Sequence, residues 1–486
     1  MATKSWYTHP AAIVAAGLLF IAVLVGALIV TGVLPGIFVG NTSFDAHYSE
    51  LERHRAEQRA ASADAAPATE NPAASTESAA ATAPGADVEA GAAKPGAKSF
   101  RTYWTDYRGP NRDGRYDEAK VLTNWPAEGL EPVWRQPVGG GYASFVVAEG
   151  LAYTIEQRRQ QEVVAAYDIQ TGRELWTQAW DADFRESMGG DGPRATPTWH
   201  EGRVYALGAT GELRSIEAKT GKLIWSRNIL KDNGAQNLEW GMSGAPLIVD
   251  DKVIVLPGGT SGKSVAAYNR LTGQPVWQSL NDRQGYVSPM LVTLAGKRHI
   301  VVVSSSRVVG VEVGDGSLIW EYPWNTSMGI NCSQPIVVGD NRLFISSGYG
   351  KGAAVIELAK SGDNLTARTV WENTAMKNKF NSSVLHEGHI YGLDEGILTC
   401  VDVQTGARKW KGGRYGYGQL LLASGHLIVL SDTGELALVK ATPDQHTEVA
   451  KFSALEGKTW NYPALAGGRL LVRNATHMAC YNLSGD

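Results

Sequence analysis

The side chains best suited to chemistry are aromatic and amide groups that stand just ahead of a series of short apolar segments. These segments follow one another along the chain and begin at Tyr142, Ala195, Ser243, Ser288, Ser333, Ser382, Gln419 and Tyr462. The candidate binding residues ahead of them are Arg194, Trp240, Met242, Tyr286, Asn331, Asn381, Tyr415, Tyr417, Trp460 and Asn461. Aromatic rings offer stacking and apolar contact, and amides offer both a donor and an acceptor. The sequence therefore predicts a binding site wherever the fold gathers these residues.

The same residues give little support for catalysis or for metal binding. Glu239 is the carboxylate nearest to them, whereas calcium needs several oxygen ligands and the oxidation of an alcohol needs a general base within reach. The three cysteines, Cys332, Cys400 and Cys480, are far apart in the chain. A hydrolytic nucleophile motif, a phosphate-binding glycine loop and a zinc-ligand spacing are also missing from the sequence. We therefore predict no catalytic residue and no metal ligand.

The elements that must position the candidate residues are repeats. An acidic or amide residue, a turn that contains glycine and a tryptophan recur, as in residues 168–176. In five copies the glycine stands four residues before the tryptophan, at Trp176, Trp225, Trp277, Trp320 and Trp410. Glycine supplies the positive φ that such a hairpin turn needs, and a tryptophan at a fixed place in each unit packs well between neighbouring sheets. Packing is favoured over the alternative that these rings stack on a ligand.

The eight apolar segments predict eight four-stranded blades of a β-propeller, so the fold class is all-β, with the propeller over residues 99–486. The last unit supplies only three strands, and residues 133–135 can add the fourth, which closes the ring and removes exposed sheet edges. Cys400 and Cys480 occupy a repeat position that is small in other units. We therefore predict that they are packing residues too far apart for a disulfide, whereas Cys332 stands alone in a loop.

Three further segments precede the propeller. Residues 1–10 form a short tail, and residues 11–39 are almost wholly apolar and long enough to cross a bilayer as one transmembrane helix. A cleaved signal peptide is the alternative, but its apolar core is usually shorter. Residues 40–98 are predicted to be a charged juxtamembrane helical stub followed by a disordered linker, because alanine, serine and threonine dominate and prolines interrupt every run.

The repeated phrase resembles the PQQ-like (pyrrolo-quinoline quinone) repeat of the quinoprotein alcohol dehydrogenase-like superfamily. Residues 107–114 also resemble the segment that precedes bacterial propellers of this kind. The resemblance implies an eight-bladed propeller in a bacterial, periplasmic protein. The superfamily includes quinone-dependent dehydrogenases and scaffolds without a cofactor, so fold alone does not imply an activity. In the dehydrogenases the quinone lies between a tryptophan and a disulfide of two adjacent cysteines, beside calcium, and this sequence has no adjacent cysteines.

We expect a scaffold that is anchored in the bacterial inner membrane by a single pass and binds a protein partner or a small ligand at the propeller face, on the periplasmic side. The net charge of −4 gives no support to nucleic-acid binding. The alternative is a PQQ-dependent dehydrogenase of alcohols or sugars, with calcium and an altered site. We expect that no cofactor is bound. A third possibility is a subunit of a larger membrane complex.

The charged residues of the segment 107–114 have two possible roles. Arg108, Arg112 and Asp113 either contact a partner or pin their segment onto the propeller, and we favour pinning.

Overall fold

The computed structural model describes residues 40–64, 103–362 and 364–485. The chain divides into two units, residues 1–54 and 55–486. Helix α1 (Gly40–Asp64) contains the predicted helical stub, which is the first part of the predicted segment 40–98. The predicted transmembrane helix over residues 11–39 and the rest of the predicted linker lie outside the described residues. Within the described part, no helix has the length and hydropathy that a membrane span requires.

The eight sheets predicted from the repeats are present, and in each blade four antiparallel strands run from the axis outward. The strands of blades 1 to 4 are β3–β6 (Val146–Ala148, Leu151–Arg158, Gln161–Asp168, Glu174–Asp181), β7–β10 (Thr198–His200, Arg203–Leu207, Glu212–Glu217, Leu223–Asn228), β11–β14 (Leu247–Val249, Lys252–Val255, Val265–Asn269, Pro275–Ser279) and β15–β18 (Met290–Leu294, Lys297–Val303, Arg307–Val311, Leu318–Pro323). Those of blades 5 to 7 are β19–β22 (Ile336–Val338, Arg342–Ser347, Gly352–Ser361, Asn364–Asn373), β23–β26 (Val384–His386, His389–Asp394, Ile397–Asp402, Arg408–Arg414) and β27–β30 (Gln419–Ala423, His426–Leu430, Glu435–Lys440, Glu448–Ser453). A short helix, α2 (Ile229–Asn233), follows β10.

Blade 8 combines the two ends of the propeller. Its inner strands are β31 (Ala464–Ala466), β32 (Arg469–Arg473) and β33 (His477–Asn482), and its outer strand is β2 (Pro132–Pro137). The predicted closure of the ring is therefore confirmed. Blade 7 has an additional strand that we did not predict, because β1 (Arg115–Tyr116) pairs in parallel with its inner strand β27.

The lead-in segment, residues 103–116, lies against the inner strands of several blades. The amides of Val147, Trp199 and Leu422, on the inner strands of blades 1, 2 and 7, donate to carbonyl oxygens of this segment at 2.8, 2.8 and 2.9 Å. An edge strand has unpaired backbone groups that another extended segment can satisfy. The lead-in segment therefore covers part of the inner rim of the ring.

Two arginines of the lead-in segment, Arg108 and Arg112, are 0% and 2% exposed. Arg108 donates to the carbonyl oxygen of Ser383 in blade 6 at 2.5 Å. Arg112 forms an ion pair with Asp106 at 2.6 Å. It also donates to three carbonyl oxygens of blades 3 and 4, at 3.2, 2.6 and 2.6 Å, those of Ala245, Pro246 and Pro289. The pinning role of these arginines is confirmed.

The repeat tryptophans join each blade to the hairpin turn of the next blade. The indole N–H donates to a carbonyl oxygen of that turn at 2.9, 3.0 and 3.2 Å for Trp176, Trp225 and Trp277. The glycine of the turn packs directly against the indole ring. A Cβ at Gly221, Gly273 or Gly316 would stand 2.6, 2.8 or 2.5 Å from an atom of that ring. The packing role predicted for these tryptophans is confirmed. The glycine is required for its positive φ and also for this contact.

The residue opposite each of these tryptophans in the neighbouring strand is small. The pairs are Ala166–Trp176, Ser215–Trp225, Ala267–Trp277, Gly310–Trp320, Cys400–Trp410 and Cys480–Trp134. Cys400 and Cys480 are buried and form no disulfide, as predicted. Burial raises the pKa of each of these thiols to about 12, so both stay protonated and inert.

Trp320 departs from the pattern. Its N–H donates to His299 Nε2 in its own blade at 2.9 Å. In the next blade, β21 and β22 form a longer hairpin with strands of ten residues each. Its turn glycine, Gly362, contacts no ring, since a Cβ there would meet nothing within 4 Å. Burial lowers the pKa of His299, so its neutral ring accepts this hydrogen bond.

A buried carboxyl group lies where blades 1 and 2 meet. Glu162, on β5, accepts a hydrogen bond from the amide of Ala209 at 2.7 Å. Among the described residues, none donates a hydrogen bond to its second oxygen, Oε2. Trp180 Nε1 is likewise buried without an acceptor there. Burial raises the pKa of Glu162 from its ordinary value of 4.5 to about 7. The carboxyl group is therefore protonated in weakly acidic solution.

We expect the stability of Glu162→Gln, relative to that of the wild type, to increase as the pH rises. Because the pKa is raised on folding, the native state holds this proton more tightly, and the stability it contributes is present below pH 4.5 and lost as the pH rises to about 7. Glutamine does not ionise, so the variant lacks this loss of about 3 kcal/mol. Urea unfolding of both proteins from pH 4.5 to pH 8 measures the difference. Parallel curves would show that Glu162 titrates normally in the native state.

Candidate functional site

Aromatic side chains from four adjacent blades gather at the mouth, the end of the channel at which the inner strands begin. We call Tyr142, Phe380, Tyr417 and Trp460 the mouth cluster. Phe380 lies between two of the others, with ring centroids 5.0 Å from Tyr417 and 4.6 Å from Trp460, and Tyr142 is 5.4 Å from Trp460. These separations are typical of direct aromatic packing. The rings are in mutual contact, and they precede blades 6, 7, 8 and 1.

Three cationic side chains lie over these rings. Lys379 Nζ is 4.7 Å from the ring centroid of Tyr417, and Lys458 Nζ is 4.3 Å from that of Trp460. The guanidinium of Arg194 is 5.5 Å from Tyr142. Contacts of this kind hold a cation over the negative face of a ring. The mouth is therefore aromatic in its centre and positively charged at its rim.

The loop between β6 and β7, residues 182–197, folds across the mouth. Lys458 Nζ donates to the carbonyl oxygens of Met188 and Gly189 at 3.1 and 3.0 Å, and the hydroxyl of Tyr142 donates to Gly189 as well. Burial raises the pKa of Tyr142 to about 12, so its phenol remains a donor. Glu186 accepts hydrogen bonds from amides of its own loop, including Met188 at 2.7 Å. Its carboxylate thus stabilises the loop.

Amide side chains lie buried next to the mouth cluster. Gln419 Nε2 donates to the carbonyl oxygens of Phe380 and Trp460, both at 3.1 Å, and Asn461 Nδ2 donates to Gly141 and Ala143. Within the described ranges, three of their polar atoms have no hydrogen-bond partner: Gln419 Oε1, Asn461 Oδ1 and Asn381 Nδ2. Buried polar atoms of this kind are normally satisfied by a ligand or by water. Three buried amide atoms beside the mouth cluster thus remain unpaired in that part of the chain.

The sequence-predicted residues separate into three groups. Those with half-buried side chains in the loops at the mouth are Arg194, Trp240, Tyr286, Tyr417 and Trp460. Asn381 and Asn461 are buried beside them. Asn331 is buried too, but it is fully engaged, since it donates to Ser304 and Trp324 and accepts from Ser347. Asn331 therefore holds two strand-connecting loops together.

Two predicted residues do not reach the mouth. Met242 is 3% exposed and packs in the core between blades 2 and 3. The hydroxyl of Tyr415 donates to Glu448 at 2.6 Å, on the outer strand of blade 7. Residues that sequence reasoning missed are Tyr142, Phe380, Lys379 and Lys458. Tyr142 and Phe380 stand next to the start of a predicted apolar strand, so the sequence could have revealed them. The position of the two lysines over the rings depends on how the loops fold.

The mouth does not fit PQQ with calcium. The cluster rings contact one another, so no slot for a planar quinone lies between them, and the nearby Glu186 is engaged with its own loop. Cys332 is a free thiol whose pKa burial raises to about 12, and it has no neighbouring cysteine with which to cover a quinone. Among the described residues, no group of three or more histidine, cysteine or acidic side chains is arranged to hold a metal ion.

Comparison with known proteins finds similarity both to dehydrogenases and to an outer membrane protein assembly factor. The chain is 30% identical over 167 residues to 1-butanol dehydrogenase (cytochrome c) of Thauera butanivorans, covering 33% of this chain and 22% of that protein. It is 23% identical over 313 residues to outer membrane protein assembly factor BamB of Burkholderia pseudomallei, covering 55% of this chain and 75% of that protein. The crystal structure of quinohemoprotein alcohol dehydrogenase from Comamonas testosteroni superimposes with a TM-score of 0.55 at 14% identity, over 79% of this chain and 81% of that one.

A family model described as outer membrane protein assembly factor BamB (PQQ_2) matches residues 116–241 and 160–412. These residues include the tryptophan and glycine positions that join neighbouring blades. The match extends over more than half of the chain. The chain therefore belongs to this family of PQQ-like repeat propellers.

Proposed function

We propose that this protein is a binding scaffold, a membrane-anchored propeller on the periplasmic side of a bacterial inner membrane whose mouth engages a loop of a partner protein. The observation that carries the proposal is the mouth cluster with its rim of Arg194, Lys379 and Lys458. Aromatic residues with arginine are the usual centres of binding energy in protein interfaces. The positive rim favours a partner loop with acidic residues.

Two further observations support this proposal. The apolar residues 11–39 have the length of a membrane anchor. The relative from Burkholderia pseudomallei is named as an assembly factor, which suits a scaffold.

Photo-crosslinking in cells tests the proposal. A photoreactive residue at Met188, which is 70% exposed in the loop across the mouth, should yield one discrete protein adduct, whereas the same residue at Leu271, 48% exposed in a turn of blade 3, should not. Lys379→Glu should reduce the yield at least fivefold by repelling an acidic loop, and Lys360→Glu, on an exposed strand end, is the matched control. Equal yields from both crosslinking positions, or no effect of Lys379→Glu, would contradict the proposal.

A quinone-dependent dehydrogenase is the second candidate, favoured by the similarity to 1-butanol dehydrogenase. Titration of the protein with PQQ and Ca²⁺ by absorbance, together with dye-linked oxidation of alcohols and sugars, separates the two functions. We expect neither stoichiometric uptake nor turnover. Tight uptake with turnover would establish the dehydrogenase instead.

A further inference from the structure

A second concave site lies at the opposite end of the channel from the mouth. This lead-in cavity, of about 420 Å³, is enclosed by the lead-in segment and the inner strands of blades 3 to 6. Its walls combine apolar side chains, among them the half-exposed Ile248, Leu291 and Val337, with polar residues of the lead-in segment. Its volume is in the range of pockets that bind small ligands or short peptide segments.

The backbone of the inner strands determines what this cavity can bind. In an edge strand, alternate residues direct their N–H and C=O groups away from the sheet. Val147, Trp199 and Leu422 are such residues in blades 1, 2 and 7, and their amides donate to the lead-in segment. Each lies opposite the second residue of the following strand. Backbone carbonyl groups of the lead-in segment, those of Trp104, Thr105 and Gly114, thus already pair with three of the eight inner edges.

The residues at the same register position in blades 3, 4 and 5 are Ile248, Thr293 and Val337. All three line the lead-in cavity. Among the described residues, no backbone carbonyl outside their own sheets accepts a hydrogen bond from these amides. The pairing that covers blades 7, 1 and 2 therefore stops where the cavity begins.

The polar groups of the cavity match a peptide backbone better than an ion. Arg112 lines it, and its Nε is buried with no partner in the described ranges. The guanidinium groups of Arg112 and Arg115 are balanced by the carboxylates of Asp106 and Asp113. The site thus combines several N–H donors with partly apolar walls and little net charge. Carbonyl oxygens between apolar side chains complement this combination.

We propose that the lead-in cavity binds an extended, uncharged and apolar segment of a partner protein, by main-chain hydrogen bonds to Ile248, Thr293 and Val337. The occupant continues around the ring the same interface that the lead-in segment forms with blades 7, 1 and 2. Binding here is independent of the mouth, which lies at the other end of the channel.

Proline at position 293 tests this proposal. The Thr293 amide points away from β16, so Thr293→Pro removes the donor while the ladder keeps its hydrogen bonds. Thr293→Val retains the amide and is the matched control. Peptides are selected on the full chain from a displayed library of random sequences, and their affinities are measured by fluorescence anisotropy. We expect apolar peptides that bind Thr293→Pro at least tenfold more weakly than the wild type and Thr293→Val within twofold, with similar melting temperatures for all three proteins.

Hydrogen exchange identifies the occupant. A bound peptide should slow exchange of the amides of Ile248, Thr293 and Val337. The proposal is overturned if no selected peptide is weakened by Thr293→Pro, or if Trp460→Ala abolishes binding instead, which would locate the peptide at the mouth. It is also overturned if these amides are already protected without peptide and lose protection on deletion of residues 65–98, which would make the chain its own ligand. Protection that rises with protein concentration would indicate a second copy.

Discussion

Replacing Gly316 with alanine should destabilise the propeller far more than the same change at Gly388. The two glycines have nearly the same backbone conformation, with φ of 75° and 76°. A Cβ at Gly388 meets nothing within 4 Å, whereas a Cβ at Gly316 stands 2.5 Å from the ring of Trp277. The left-handed conformation costs an alanine about 1 kcal/mol at either position. We expect about 1–3 kcal/mol more at Gly316, because the ring must leave its packed position.

A double-mutant cycle separates the contact from backbone strain. Trp277 is 9% exposed, and Trp277→Ala should cost about 3–5 kcal/mol through the cavity it leaves. In that background the clash with the ring is absent and only the contact with Ser279 Oγ, at 2.8 Å, remains. Gly316→Ala should therefore cost much less there than in the wild type. The free energies of unfolding in urea give all four corners of the cycle. Strict additivity would show that the tryptophan and the turn of the next blade do not interact.

The repeat architecture could be predicted because each blade obeys the same local chemistry. The glycine before Trp277 or Trp225 has to adopt a positive φ, and the tryptophan has to contact the next turn, so both residue types recur at fixed spacing. The small residue opposite the tryptophan explains Cys400 and Cys480 in the same way. A pattern repeated in several blades is visible in one sequence even when individual copies are degenerate.

The contacts of the lead-in segment with distant blades could not be predicted by that route. Arg112 donates to carbonyl oxygens of residues 133 to 177 positions away, and a backbone carbonyl has no residue type that a sequence pattern could reveal. For a related reason, only part of the candidate site could be predicted. Repeat position identifies which residues precede an inner strand, but it does not show which way each side chain points. Tyr417 therefore lies in the mouth cluster, whereas Tyr415, two residues earlier, contacts Glu448 at the outer strand.

A loss of stability as large as that from Trp277→Ala should follow removal of the Arg112 guanidinium. Arg112→Met keeps much of the side-chain volume, but it leaves the buried carbonyl oxygens of Ala245, Pro246 and Pro289 without their donor and Asp106 without its ion-pair partner. Breaking a buried pair by removing one partner typically costs about 3–5 kcal/mol, because the remaining charge is uncompensated. Arg298→Ala is the control. Its pair with Asp250 is about half exposed and should contribute less than about 1 kcal/mol.

The pH dependence of this loss distinguishes the unpaired carboxylate from lost packing. Burial raises the pKa of Asp106 even with Arg112 beside it. Without the guanidinium the pKa must rise further, so the native variant holds a proton that the unfolded chain releases at neutral pH. Its stability should therefore fall further below that of the wild type as the pH rises from 5 to 8. Asp106→Asn in the Arg112→Met background should remove this slope and restore part of the stability. A deficit that is constant with pH, and that Asp106→Asn does not change, would mean that Arg112 acts through packing and carbonyl hydrogen bonds alone.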